Sequence, residues 1–193
     1  MAVYIFKQAH PSPTLISLVD AGKQLKFEKD WEVADELNEK SLVEVYIQAA
    51  IKAAENYIGL SINQAKFKLT TNQFTNNLAF TRGPISAIES ITYKDEAGDV
   101  QTLDNSLYEL RPLDRYQQEL FFENFDELPT VISGVSNAVT INITTGYGAA
   151  DELPEDIRSA IYLIMTSLYE NRQDSVEKLP KASTVLLQPY RIY

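Results

Sequence analysis

The most constraining feature of this chain is that its apolar residues change period twice. From Ser41 to Leu60, "SLVEVYIQAAIKAAENYIGL", the apolar positions Val43, Ile47, Ala50, Ile51, Ala54 and Ile58 fall at helical spacing. From about Lys66 the repeat is two: Phe67, Leu69 and Thr71 alternate with Lys66, Lys68 and Thr70. From Pro154 onward the helical spacing returns in "LPEDIRSAIYLIMTSLYENR". A helix side and a strand side cannot be built on one pattern. Two long helices, at about 41–58 and 154–172, must therefore bracket a β-rich stretch.

The ends of these elements carry their own signals. Ser41-x-x-Glu44 has the form of a capping box, although a start near Asn38 fits equally. Gly59 stands where a left-handed stop is needed. Leu42, Val45, Ala49 and Ala53 widen the apolar stripe, which predicts cover on more than one side. In the last helix Pro154 suits the first helical position, and Glu155 and Asp156 complement the helix dipole. Ile157, Ala160, Ile161, Ile164 and Leu168 form one stripe; Tyr162, Met165 and Tyr169 form a second. A shorter helix is expected near the start, opened by Pro13 or Thr14 and closed by Gly22, with Leu15, Leu18 and Val19 inward. "EKDWEVADELNEK" is polar and acidic, with Trp31 as its one large anchor.

Within 66–146 five or six short strands follow one another with hairpin-length loops. "ISAIESITYKDEAGDVQTL" reads as strand, turn and strand, with Gly98 supplying the positive φ. "LYEL" and "QELFF" flank the loop "RPLDRY", and Val139, Ile141 and Ile143 alternate with Thr140, Asn142 and Thr144. The fold class expected is α+β, a small helical bundle with an inserted antiparallel β subdomain. The organisation is 1–62 N-terminal helices, 63–150 β-rich insert, and 151–193 C-terminal helix and tail packing with the N-terminal helices.

Composition narrows the chemistry. The 193 residues include no cysteine and one histidine, His10, so thiolate and multi-histidine metal sites are excluded within one chain. His10 reads as a terminal residue rather than a ligand. No window reaches 18 uninterrupted apolar residues, and the first residues are too weakly basic for a signal peptide, so a cytosolic chain without a membrane span is expected. The net charge of −10 disfavours wrapping nucleic acid, because phosphate affinity comes from Lys and Arg. The excess is uneven: residues 31–60 carry six acids and two bases, residues 101–150 seven and two. Asp151, Glu152, Glu155 and Asp156 lie at a helix start, where acids are expected without any catalytic role. Asp95, Glu96 and Asp99 could face a calcium ion but lack the spacing of a twelve-residue calcium loop. No catalytic residue, metal ligand or cofactor site is assigned.

The order of these segments resembles the head–tail connector, or head-completion adaptor, proteins of long-tailed bacteriophages and prophages. The subgroup is the one with a β-rich insert between its helices. The resemblance runs from about residue 14 to residue 191. It is carried by "SLVEVYIQAAIKAAENYIG", "FTRGPISAIESITYKDEAGDVQTL", "ITTGYG" with "LPEDIRSAIYLIMTSLYENR", and "LPKASTVLLQPYR". Where relatives have a tryptophan–proline before the last strand, this chain has "DELPTVISGVSNAV". The resemblance implies a structural role and no reaction. Such proteins form a ring under the portal, usually twelvefold, which extends the DNA channel and docks the next neck or tail-completion protein. Some are monomers in isolation. DNA would pass through without specific binding, and carboxylates lining the channel would repel its phosphates. The place implied is the virion neck, after assembly in the host cytoplasm.

The expected interface residues are Tyr169, Arg172, Leu186, Leu187, Pro189, Tyr190 and Arg191. For Tyr169 to Arg172 the alternative is that the last-turn polar groups cap the helix. For Tyr190 and Arg191 a partner contact is favoured, as both types are enriched at interfaces. The alternative is that Leu186 and Leu187 pin the tail onto its own body. A tail-completion or baseplate component, or a β-type ligand-binding module, also remains open.

Overall fold

A computed structural model of the chain describes residues 4–8, 15–27, 39–80, 83–113, 117–172 and 178–192. His10, Pro13, Thr14, Trp31 and Asn38 lie outside the described residues, with what was expected of them. The fold is α+β: among the described residues there are four α-helices and two antiparallel sheets. The chain divides into two compact units. One joins Met1–Ser12 to Gln64–Gly146; the other joins Pro13–Asn63 to Tyr147–Tyr193. The segment expected to hold only N-terminal helices, 1–62, thus also supplies a strand to the β-rich unit.

In that unit the strands are β1 (Tyr4–Gln8), β2 (Ala65–Thr71), β3 (Leu78–Phe80), β4 (Ile85–Lys94), β5 (Val100–Thr102), β6 (Tyr108–Pro112), β7 (Gln118–Phe122) and β8 (Val139–Thr145). The larger sheet runs β1-β2-β8-β4-β5 and the smaller β3-β7-β6. Strand β8 is central, and the alternation explains its register. Phe67 and Ile88 both face Ile143, while Leu69 and Ile91 both face Ile141. Cross-strand apolar pairs on one side are what fix a sheet's register. Shifts in β4 between Ile85 and Ala87, and between Ile88 and Ser90, mark bulges that let the strand bend. Phe74, Phe80, Leu120 and Phe122 complete this core. The β4–β5 turn has Gly98 at φ +89°, as expected. Strands β1 and β3 were not anticipated.

The helical unit holds α1 (Leu18–Gln24), α2 (Glu39–Ile58), α3 (Glu155–Glu170) and α4 (Lys181–Leu187), followed by a 3-10 turn at Gln188–Tyr190. Ser17 caps α1 by accepting the Asp20 N–H at 3.4 Å. The helix therefore begins later than expected and ends later too. Gly22 is buried inside it, and the reversal falls to Lys26 at φ +61°. Starting at Leu18 turns Val19 outward, 44% exposed, and leaves Leu15, Ile16 and Ala21 inward.

Helix α2 buries Val43, Ile47, Ala50, Ile51, Ala54 and Ile58, the six positions of its main stripe. The expected widening holds only in part: Leu42 and Ala53 are half-buried, whereas Val45 is 62% exposed and Ala49 is exposed. Ser41 lies inside the first turn rather than at its cap, since the helix already includes Glu39. Gly59 takes φ +80°, the left-handed stop. Glu55 then accepts the N–H groups of Ile62 and Asn63, at 2.9 and 3.1 Å, and fixes the exit of the chain. Pro154 is the residue before α3, with ψ 137°, and not its first helical residue. Helix α2 packs on α3, and α3 on α4, with Ile157, Ala160, Ile161, Ile164 and Met165 buried. Alanines at 50, 54 and 160 keep the helix surfaces small.

Candidate interaction surface

Two groups of expected interface residues lie in the helical unit, and the structure treats them differently. The first gathers at the C-terminal end of α3. Tyr169 donates its O–H to Oε2 of Glu39, the first residue of α2, at 2.8 Å. Arg172 donates through Nη2 to the same oxygen at 3.0 Å. Its guanidinium also lies 4.2 Å from the Tyr169 ring centre. The rings of Phe27 and Tyr46 meet Tyr169 edge-on at 5.6 and 6.1 Å. Aromatic edges and a cation thus enclose one phenol.

The last-turn polar groups also cap the helix. Asn171 donates to the Ser167 carbonyl at 2.9 Å, and Arg172 Nε to the Tyr169 carbonyl at 3.3 Å. The Ser167 carbonyl also accepts the Asn171 backbone N–H at 3.1 Å, so the side chain gives it a second bond, while Arg172 serves the Tyr169 carbonyl at the open helix end. The electrostatics follow from the contacts. The Tyr169 hydrogen bond, with Arg172 adding to it against partial burial, holds the Glu39 carboxyl below the usual glutamate range. Burial, then the bond to Glu39, pushes the Tyr169 phenol up. Glu39 was not among the expected site residues. It stands 130 positions before Tyr169, and no local pattern links them.

The second group is the C-terminal segment. It is not an extended arm: Lys181–Leu187 is helix α4 and Gln188–Tyr190 a 3-10 turn. Leu187 is fully buried and Tyr190 is 8% exposed, so these two serve the unit's own core. Leu186 is half-buried, and Pro189 and Arg191 are exposed. Tyr190 O–H donates to Asp156 at 3.4 Å, and the Arg191 guanidinium lies 5.1 Å from the Tyr57 ring centre. Ile192 N–H donates to the Ile58 carbonyl at 2.9 Å, which ties the segment beside Gly59. The outward members of α4 are Lys181, Ala182 and Val185, the last 68% exposed.

Of the carboxylates weighed for calcium, Asp95 is used otherwise. Asp95 Oδ1 accepts the N–H groups of Ala97 and Asp99, at 3.0 and 2.9 Å, and Oδ2 accepts from Gln101 at 2.9 Å. Those bonds, the one from Gln101 first, hold its carboxyl below the usual aspartate range. Asp95 therefore builds the hairpin turn. Among the described residues no group of three or more His, Cys, Asp or Glu side chains could hold a metal ion. No helix among them is long and apolar enough to cross a membrane.

No protein-family model matches the chain, and no curated protein matches it. Solved structures do. A chain in the neck of an empty gene transfer agent particle, computed with C6 symmetry, is 19% identical with a TM-score of 0.75. The match covers 98% of this chain and 96% of that one. A chain from the virion of a native gene transfer agent particle is 21% identical, again at 0.75, over 98% and 95%. A chain in the neck of the native particle, computed with C12 symmetry, is 22% identical at 0.62, over 79% and 82%. At these identities the likeness is one of fold.

Proposed function

We propose that this chain is a structural component of the neck of a phage-like particle, acting as a head–tail connector. One observation carries the reading: fold likeness to a chain from a particle neck extends over 98% of this chain, through both of its units. The sequence resemblance to head-completion adaptors points to the same role.

In this role copies of the chain form a ring under the portal protein, twelvefold to match it, and the ring docks a neck or tail-completion protein. Support for a ring comes from the C6 and C12 symmetry with which the similar necks were computed. The role is mechanical and needs no reacting group. The chain's charge of −10 suits a wall past which DNA slides, since carboxylates repel phosphate and displace none of its counterions. In the C-terminal segment Leu187 and Tyr190 hold the fold, while Leu186, Pro189 and Arg191 meet the portal or a neighbouring subunit. Tyr169 and Arg172 set the helix end that shapes that surface.

Affinity capture from cells that make the particle tests the reading. Co-purification of the portal protein supports the connector role. Capture of tail proteins without the portal would move the chain to a tail-completion or baseplate position. Capture of neither, with binding on a glycan array, would replace the reading with a β-type ligand-binding module.

A further inference from the structure

The β-rich unit carries a groove of about 320 Å³ lined by Gln73, Phe74, Phe125, Leu128, Pro129 and Val131. Its floor is rigid. Phe74 meets Tyr93 at 5.6 Å and Phe122 at 5.7 Å, and Phe125 meets Phe122 at 6.1 Å. Phe125 is nevertheless 41% exposed. The segment that carries Phe125 is acidic: Glu123, Asp126 and Glu127 stand within two residues of it and are exposed, and no Lys or Arg occurs from Gln117 to Ile157. An exposed aromatic flanked in sequence by carboxylates repels a copy of itself. Its complement is an aliphatic side chain on a basic segment.

The same chain has such a segment. Residues 178–192 carry Lys178, Lys181 and Arg191 and no acid, in a chain of charge −10. On α4, Lys181 and Val185 are both exposed, and their i, i+4 spacing puts them on one side. Leu187 points inward and anchors the helix that presents them.

We infer that the exposed side of α4 in one copy docks into the Phe125 groove of the next, with Val185 against the apolar floor and Lys181 against Asp126 and Glu127. The inference rests on the ring reading and gives that ring its contact. The two surfaces differ, so the contact is heterologous, and heterologous contacts propagate until rotation closes a ring. One small contact is weak, and closure supplies the avidity.

The chain has no cysteine, which makes cross-linking clean. Thr130→Cys marks the groove and Ala182→Cys marks α4, leaving every charge in place. When the two variants are mixed and oxidised, the Thr130→Cys/Ala182→Cys dimer should form about fivefold faster than either homodimer. Asp126→Lys with Glu127→Lys in the groove copy should remove that preference, and Lys181→Glu in the other copy should restore it. These are exposed positions, and thermal melts check that each variant folds. Equal rates for mixed and like pairs would overturn the contact, as would a preference that survives charge reversal. Particle necks that contain the chain, alongside equal rates, would keep the neck reading and remove this contact. Groove protection by the portal or a tail protein alone would assign the groove to that protein and overturn the self-contact.

Discussion

Arg172, just past the end of α3, grips Glu39, the first residue of α2, at 3.0 Å across 133 positions of sequence. The pair pins the start of one long helix to the end of the other. Tyr169 shares the carboxylate at 2.8 Å, so removing the charge of Glu39 weakens the bonds from both a phenol and a guanidinium. Glu39→Gln should lower the melting temperature at neutral pH. Because the folded-state pKa of Glu39 lies below its ordinary value of 4.5, its stabilisation is complete above that pH and fades as pH falls through the folded value. Thermal melts of both proteins should therefore converge in acid.

Tyr169 titrates with the opposite sign. Its folded-state pKa lies above the ordinary 10.0, so its contribution is complete below that pH and is lost as pH rises through the folded value. Tyr169→Phe keeps the ring contacts with Phe27 and Tyr46 and loses only the hydrogen bond, for about 1 kcal/mol. Denaturant unfolding at neutral and alkaline pH should show that difference shrinking at the alkaline end.

Two residues of α4 separate packing from display. Leu187 is fully buried, and Leu187→Ala should cost about 2–5 kcal/mol through lost contacts and a cavity. Val185 is 68% exposed, and Val185→Ala should change stability by less than about 0.5 kcal/mol. Truncation after Pro180 should therefore destabilise the helical unit, visible as faster proteolysis of α2 and α3. If the truncated chain melts like the full one, the segment is a detachable arm.

The β4–β5 turn gives a local test. Gly98 sits at φ +89° with open space around it, so Gly98→Ala costs conformational strain alone, about 1 kcal/mol. Asp95→Ala removes the acceptor of three bonds and should speed amide exchange at Ala97 and Asp99. Added calcium should leave the melting temperature unchanged, as the carboxylate already serves the turn.

These tests fall where sequence and structure part company. The buried side of α2 was legible because six residues repeat at one period over about four turns, and β8 because Val139, Ile141 and Ile143 alternate without a break. Strand β1 was not: "YIFKQ" is five residues long and finds its partner some sixty positions on, Tyr4 facing Thr70. Strand β3 has three residues, too few for any period. Helix α4, "KASTVLL", spans barely two turns and rests on α3 for its stability, so the segment read as a tail. Tyr169 and Arg172 at the end of α3 were singled out from their residue types, but their link to Glu39 depends on tertiary packing that no local spacing records.

The central claim is the neck role, and electron microscopy of particles made with this gene deleted tests it most directly. The account predicts DNA-packed or DNA-leaking heads beside free, complete tails, with joined particles restored when the chain is supplied. Normal tailed particles in the deletion would contradict it.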